Sequence, residues 1–256
     1  SHRDYNSIIK NNYMKDVISI NNLEIQKIDI KSYKSFLNSK SYKTPYINGL
    51  SGELIIKNAG IRELKQIKKF IFLYFKNIES LNSWKKINNK IFYKKLEEIE
   101  KKIKVNRLLI LFKKNKSTLG KIIKNIKSYP SGVCHGDLTL SNIIIDGKKI
   151  YLIDFLKTYN DNILQDISKI YQEFILGWSS RYLFGNEKLR AQIFCKMVID
   201  NNFFKLFSND LLKYLNFEVL ITLFRIFPYV DKKDEITINW LINSINRVKK
   251  SRNEFY

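Results

Sequence analysis

The sequence predicts an α+β fold in which short strands come first and a large helical mass follows, broken by a single β-hairpin. Three observations predict it. Two strand-forming runs lie within the first 45 residues, apolar residues recur at helical spacing from Ile61 onward, and two β-rich runs flank Asp146-Gly147.

In chain order, residues 16–20 and 23–30 read as two strands joined through Asn21-Asn22. A short polar helix is expected over 32–39. The run Thr44-Pro45-Tyr46-Ile47-Asn48-Gly49-Leu50-Ser51-Gly52 then changes the character of the chain. Leu64, Ile67, Ile71 and Tyr74-Phe75 fall near a period of 3.6, as do Ile91-Phe92, Leu96 and Ile99. A further helix is expected over 117–127, stopping before Pro130. Beyond the hairpin, helices are expected near 166–176, 187–200, 210–227 and 235–250. No repeat and no low-complexity linker is present.

The most specific chemistry lies in His135-Gly136-Asp137-Leu138-Thr139-Leu140-Ser141-Asn142 and in Ile153-Asp154-Phe155 beyond it. Asp-Gly tolerates the positive φ of a tight turn, so the intervening chain folds back on itself. A two-residue loop at Asp146-Gly147 sets Asn142 opposite Tyr151; a longer loop through Lys149 sets it opposite Ile153. In either register Asn142 and Asp154 return to one end, with Asp137 on the loop leading in. Two carboxylates and an amide there suit magnesium, a hard cation that takes oxygen ligands.

Protein kinases carry H-R-D-x-x-x-x-N followed by D-F-G, in which the first Asp orients or deprotonates the attacking hydroxyl while the Asn and second Asp hold metal. Asp137 and Asn142 keep that offset, Gly136 replaces the Arg, and Phe155-Leu156 replaces Phe-Gly. The His-Gly-Asp form resembles the aminoglycoside phosphotransferase and choline kinase family, which has the protein-kinase-like fold and phosphorylates small molecules. Asn160-Asp161-Asn162-Ile163-Leu164-Gln165-Asp166-Ile167 is similar to that family's segment in which an Asp opens the helix after the metal-binding loop. The likeness is clear from Tyr46 to Trp178 and weaker on either side.

The resemblance implies an ATP- and magnesium-dependent phosphotransferase acting on a small-molecule hydroxyl. Asp137 would be the catalytic base, His135 would fix its loop, Asn142 and Asp154 would hold magnesium, and Asp166 would brace the loop. It also implies two lobes: residues 1–45 for the nucleotide, 46–52 as hinge, and 53–256 for catalysis and acceptor binding. Tyr46, Ile47 and Asn48 would meet the adenine. Lys27 is the candidate for the lysine that bridges ATP phosphates, the alternative being one more Lys on an exposed strand face. With fewer than fifty residues before the hinge, the first lobe is abbreviated or incomplete. No Gly precedes Lys27, so residues around Asn6-Ser7 are read as offering backbone and hydroxyl hydrogen-bond donors to the phosphates in place of a glycine-rich loop.

A competing reading makes Gly49-x-x-Gly52 a glycine-rich loop, Glu53-Leu54-Ile55-Ile56 a strand and Lys57 the ATP lysine. Too few residues then separate Lys57 from the catalytic loop to hold the rest of a nucleotide lobe, which favours the hinge. Acceptor residues are expected among Trp178, Arg181, Tyr182, Arg225 and Tyr229. Acidic residues are sparse there apart from Asp231, Asp234 and Glu235, which argues against a polycationic acceptor. A sugar, an amino alcohol or an envelope-polysaccharide precursor of bacterial type is expected.

Composition narrows the alternatives. The net charge of +22 invites a nucleic-acid reading. The excess is dispersed Lys accompanied by abundant Asn and Ile, the bias an AT-rich genome writes into any protein, so it points to a solvated surface. Two distant cysteines without C-x-x-C fit free thiols in a reducing cytoplasm. Cys134 beside His135 on an extended segment faces away from it, which disfavours a thiol nucleophile. Only two histidines are present, so zinc has no ligand set. No apolar run reaches a membrane-spanning length, and no signal peptide or Walker A motif is read. Ser1-His2 reads as a tag remnant. Two other classes stay open: a nucleotide-binding scaffold without catalysis, and a basic nucleic-acid-binding module.

Overall fold

The computed structural model describes residues 46–58, 60–147 and 149–251, with the backbone alone of three earlier strands at 25–27, 32–36 and 39–43. The side chains of 201 and 251 are likewise outside the description. So are the expected strand at 16–20, most of that at 23–30, Asn6-Ser7 and the side chain of Lys27.

Strand β1 (Ile25–Lys27) lies parallel to β8 (Lys149–Leu152), with Lys27 opposite Leu152. β8 pairs with β7 (Ile143–Asp146), and β7 with β4 (Leu50–Ser51), giving the order β1-β8-β7-β4. The helix expected over 32–39 is instead a hairpin of β2 (Ser32–Phe36) and β3 (Ser39–Lys43), in which Tyr33 and Tyr42 are register partners. So short a polar segment cannot sustain a helix alone, whereas two Tyr-bearing strands satisfy each other's backbone groups. These strands form the small β-rich lobe.

The helical lobe begins at α1 (Gly52–Asn58), where the glycine-loop reading required a strand. Ser51 Oγ accepts from Leu54 N–H at 3.3 Å and caps this helix, and Ile55 and Ile56 are buried. The two glycines serve close packing rather than phosphate binding. A Cβ on Gly49 would stand 2.6 Å from Ile145 O, and one on Gly52 would stand 2.8 Å from Leu140 O.

Helices α2 (Ile61–Glu79) and α3 (Lys90–Glu100) follow the expected periodicity, burying Leu64, Ile67, Ile71 and Phe75 on one and Phe92, Leu96 and Ile99 on the other. α4 (Asn106–Asn125) starts well before residue 117. Its stripe of Leu108, Phe112, Leu119 and Ile123 is interrupted by a buried Asn115, which obscured the period in the sequence. The two-stranded ribbon of β5 (Ser83–Lys86) and β6 (Ser128–Ser131) accommodates Pro130 opposite Trp84.

α5 (Ile163–Ile170) is buried along its whole length and runs into a π turn at Tyr171–Ile175. Then come α6 (Gly185–Val198), α7 (Asn201–Phe204), α8 (Asn209–Leu212), α9 (Leu215–Phe224) and α10 (Glu235–Ser251). The single helix expected over 210–227 is thus split between α8 and α9. Edge-to-face contacts of Phe92 with Tyr129 and Phe217, and of Phe75 with Phe203 and Phe207, tie the elements into one core. No helix among the described residues is long and apolar enough to cross a membrane.

Candidate active site

β7 and β8 pair from Ile143↔Leu152 to Asp146↔Lys149, and the turn falls on Gly147, at φ +57°, and residue 148. Ile153 N–H donates to Asn142 O at 3.1 Å. Asn142 therefore stands opposite Ile153, the longer-loop register, and the chain reaches Asp154 one residue later.

The loop entering β7 is held from behind. Asp166 Oδ2 accepts from His135 N–H at 2.6 Å and from the Tyr74 hydroxyl at 2.6 Å, and its Oδ1 accepts from Gly136 N–H at 2.8 Å. Burial, and then the Asp166 charge, push the Tyr74 hydroxyl well above its ordinary range, so it remains a donor. The His135 ring lies 4.2 Å from the Phe155 ring, and its Nδ1 accepts from Asp137 N–H at 3.2 Å. Gly136 has φ +85°, and a Cβ there would sit 2.1 Å from Leu156 O. That approach explains why Gly stands where a protein kinase has Arg: the two loops touch, and Leu156 N–H also donates to His135 O at 2.9 Å.

Asp137 is reached from two sides. Lys169 Nζ lies 2.9 Å from its Oδ1. Asn142 Nδ2 donates to its main-chain O at 2.8 Å and to its Oδ2 at 3.3 Å. Burial would raise the Asp137 carboxyl, but the Lys169 ammonium outweighs it and holds the group below the usual carboxylate range. Asp137 is therefore ionised at neutral pH. Asp154 moves the other way, raised by burial and then by the Asp137 charge. It is also the one non-glycine residue at positive φ (57°) among those described, a conformation that costs free energy and recurs at functional sites.

Lys169 and Glu173 escaped the sequence reading. The signal was present: Asp166, Lys169 and Glu173 recur at helical spacing, on one face of α5 and its π turn. Asp166 meets His135 and Gly136, Lys169 meets Asp137, and Glu173 Oε1 accepts from Leu140 N–H at 3.3 Å. One helix face thus grips the 135–142 loop at successive points.

Burial lifts the Glu173 carboxyl to about 7, against the pull of the Ser179 hydroxyl and neighbouring amides. From an ordinary value of 4.5, the folded protein then binds this proton more tightly than the unfolded chain. Its contribution to stability is complete below the ordinary value, declines as pH rises and is lost above about 7, a change of about 3 kcal/mol at most. Glu173→Gln should flatten the fall in urea midpoint between about pH 5 and pH 8. Equal slopes in variant and wild type would exclude Glu173 as the titrating group.

Asp137 lines a cavity of about 840 Å³ that is also bordered by residues of the C-terminal helices. Trp178, Arg181, Arg225 and Tyr229, named from the sequence, line it. Tyr182 does not, although its hydroxyl donates to Asp234 Oδ2, itself on the lining, at 2.5 Å. In the segment expected to be the hinge, Tyr46 is 90% exposed, Ile47 half-buried and Asn48 exposed, shortly before β4.

The profile of the phosphotransferase enzyme family matches residues 94–191, which include the catalytic loop, the hairpin and α5. Two structures of glucosamine kinase share the fold. Crystal form B has a TM-score of 0.56 at 9% identity, covering 83% of this chain and 62% of that one. The complex with glucosamine, ADP and inorganic phosphate has a TM-score of 0.53 at 9% identity, covering 82% and 59%. A probable bifunctional tRNA threonylcarbamoyladenosine biosynthesis protein of Methanosarcina mazei is 42% identical over 52 residues, 19% of this chain and 10% of that protein. The chain therefore spans about a tenth of that relative and under two thirds of either glucosamine kinase structure.

Proposed function

We propose that the chain is a phosphotransferase of protein-kinase-like fold that transfers the γ-phosphoryl group of ATP to a hydroxyl of a small molecule, a reading supported by the family profile over residues 94–191 and by the fold shared with glucosamine kinase. The observation that carries this reading is Asp137, an ionised carboxylate held by Lys169 and Asn142 at the edge of an acceptor-sized cavity. There it orients the acceptor hydroxyl and takes its proton. The hydroxyl oxygen bonds to the γ-phosphorus as the bond to the bridging oxygen breaks, and ADP leaves with the electron pair. His135 and Asp166 keep the loop in register. The hinge backbone of Tyr46, Ile47 and Asn48 is assigned to the adenine, and Lys27 to the phosphates.

The donor set fits magnesium. Asn142 Nδ2 is committed to Asp137, which leaves Oδ1 as its outward atom, and the raised Asp154 carboxyl gains from a nearby cation. No cluster of three or more His, Cys, Asp or Glu side chains occurs among the described residues. Two protein oxygens plus phosphates and water are the usual complement for this ion. When bound, it would neutralise phosphate charge. Asp154→Ala should weaken ATP binding at least about tenfold with magnesium present and little without it, as read by calorimetry. Equal weakening in both conditions would remove Asp154 from the metal site.

ATP consumption across a panel of sugars and amino alcohols tests the activity itself. Consumption that depends on acceptor, magnesium and Asp137 supports it. Nucleotide binding without turnover of any acceptor would assign the chain to a binding role.

A further inference from the structure

Resting on the phosphotransferase reading of Asp137, we infer that the acceptor is an anionic alcohol: a small polyhydroxylated molecule whose phosphate or carboxylate is gripped by Arg225 and Arg181 across the cavity from Asp137. Lysines on the lining say little, because Lys+Arg outnumber Asp+Glu by 46 to 24 in the whole chain. Arginine is different. The chain has only eight, and two of them line this cavity.

Both are held in place by neutral partners. Arg225 Nη1 donates to Gln165 Oε1 at 2.9 Å, and Gln165 is itself buried and anchored through Nε2 to Glu218 Oε1 at 2.6 Å. Arg181 donates from Nε to Thr237 Oγ1 at 3.1 Å and from Nη1 to Trp178 O at 2.9 Å. Its guanidinium lies 3.5 Å from the Trp178 ring centroid and 4.3 Å from that of Tyr182.

Among the described residues neither guanidinium has a carboxylate within ion-pair distance, whereas the surface Arg107 is paired with Glu235 at 2.8 Å. The acids nearby are engaged elsewhere. Asp234 accepts from Tyr182 O–H and from Thr237 N–H, although it feels the Arg181 charge, and Glu98 pairs with Lys95 at 3.6 Å. A part-buried guanidinium that no carboxylate touches directly, though Asp234 feels Arg181 and Glu218 feels Arg225, keeps donors for a ligand anion. A planar fork fixed by its neighbours has already lost the rotamer freedom that bidentate binding of phosphate or carboxylate would cost. Asp137, Arg181 and Arg225 line one cavity, which places the anion and the reacting hydroxyl on one small molecule. The ammonium of an amino sugar would face the same two arginines and Lys169, a repulsive setting.

The test compares matched acceptors: glycerol 3-phosphate with glycerol, glucose 6-phosphate with glucose, gluconate with glucitol, and glucosamine as the cation. At least one anionic member should exceed its neutral partner in kcat/KM by about tenfold or more, with glucosamine below both. Whether the phosphate or the carboxylate pair shows the gap identifies the anion. In Arg225→Gln and in Arg181→Gln that ratio should collapse toward one with the Kd for ATP unchanged, and Arg225→Lys should restore part of it. Preference for neutral or cationic acceptors overturns the inference, as does a loss of ATP affinity in the Gln variants. Calorimetry separates the two layers. Arginine-dependent binding of an anionic member without turnover counts against the phosphotransferase reading while keeping the anion site, and no arginine-dependent binding overturns the site.

Discussion

Asp137→Asn should lower turnover about 10²- to 10⁴-fold, the range a positioned general base contributes, while leaving the Kd for ATP unchanged. The substitution keeps the shape of the side chain and its contact with Asn142, but the amide cannot accept the hydroxyl proton. It also leaves Lys169, 7% exposed, facing a neutral group at the 2.9 Å separation where it now meets a carboxylate. That ammonium then carries a buried charge without its carboxylate partner. Steady-state kinetics and nucleotide calorimetry on one preparation give both numbers. Unchanged turnover would remove Asp137 from the chemistry, whereas lost ATP binding would make its role structural.

Asp166→Ala should cost about 3–5 kcal/mol of stability, because it strips a buried carboxylate from donors that have no water to turn to. The N–H groups of His135 and Gly136 and the Tyr74 hydroxyl all point at it. For a domain whose total stability is about 5–15 kcal/mol, that is a large fraction. Tyr74→Phe removes a single donor and should cost about 1 kcal/mol by the same measurement, urea unfolding at neutral pH. A native-like midpoint for Asp166→Ala would mean that the loop holds its shape without these bonds. The two substitutions thus separate chemistry from scaffold within one loop.

Legibility from sequence followed the range of the interactions involved. The hairpin depends on neighbours along the chain, Asp146-Gly147 and the Ile-rich runs beside it, and so the return of Asn142 and Asp154 to one end could be read directly. Its register could not, since Asp-Gly is compatible with both loops; pairing of Asp146 with Lys149 decided it. The long helices after Ile61 were legible because each buries one stripe, while α4 lost its first turns to the buried Asn115. Residues 32–39 misled because isolated propensity is weak there and the partner strand decides. In the site, Lys169 and Glu173 looked like ordinary charges on an amphipathic helix. Only packing of α5 against the loop reveals that this helix has no solvent face.

Helix α5 has a consequence for how such a protein can diverge. Asp166, Lys169 and Glu173 address the catalytic loop, while Gln165, one position earlier, anchors Arg225 from the same helix. A helix filled on every side cannot rotate or shift to suit a new acceptor without dismantling the loop. Under the proposed activity, variation in acceptor is therefore channelled into the rest of the cavity lining, at positions such as Lys157, Arg181 and Tyr229, which lie on other segments of the chain. Selection could change that wall while the loop around Asp137 stays as it is.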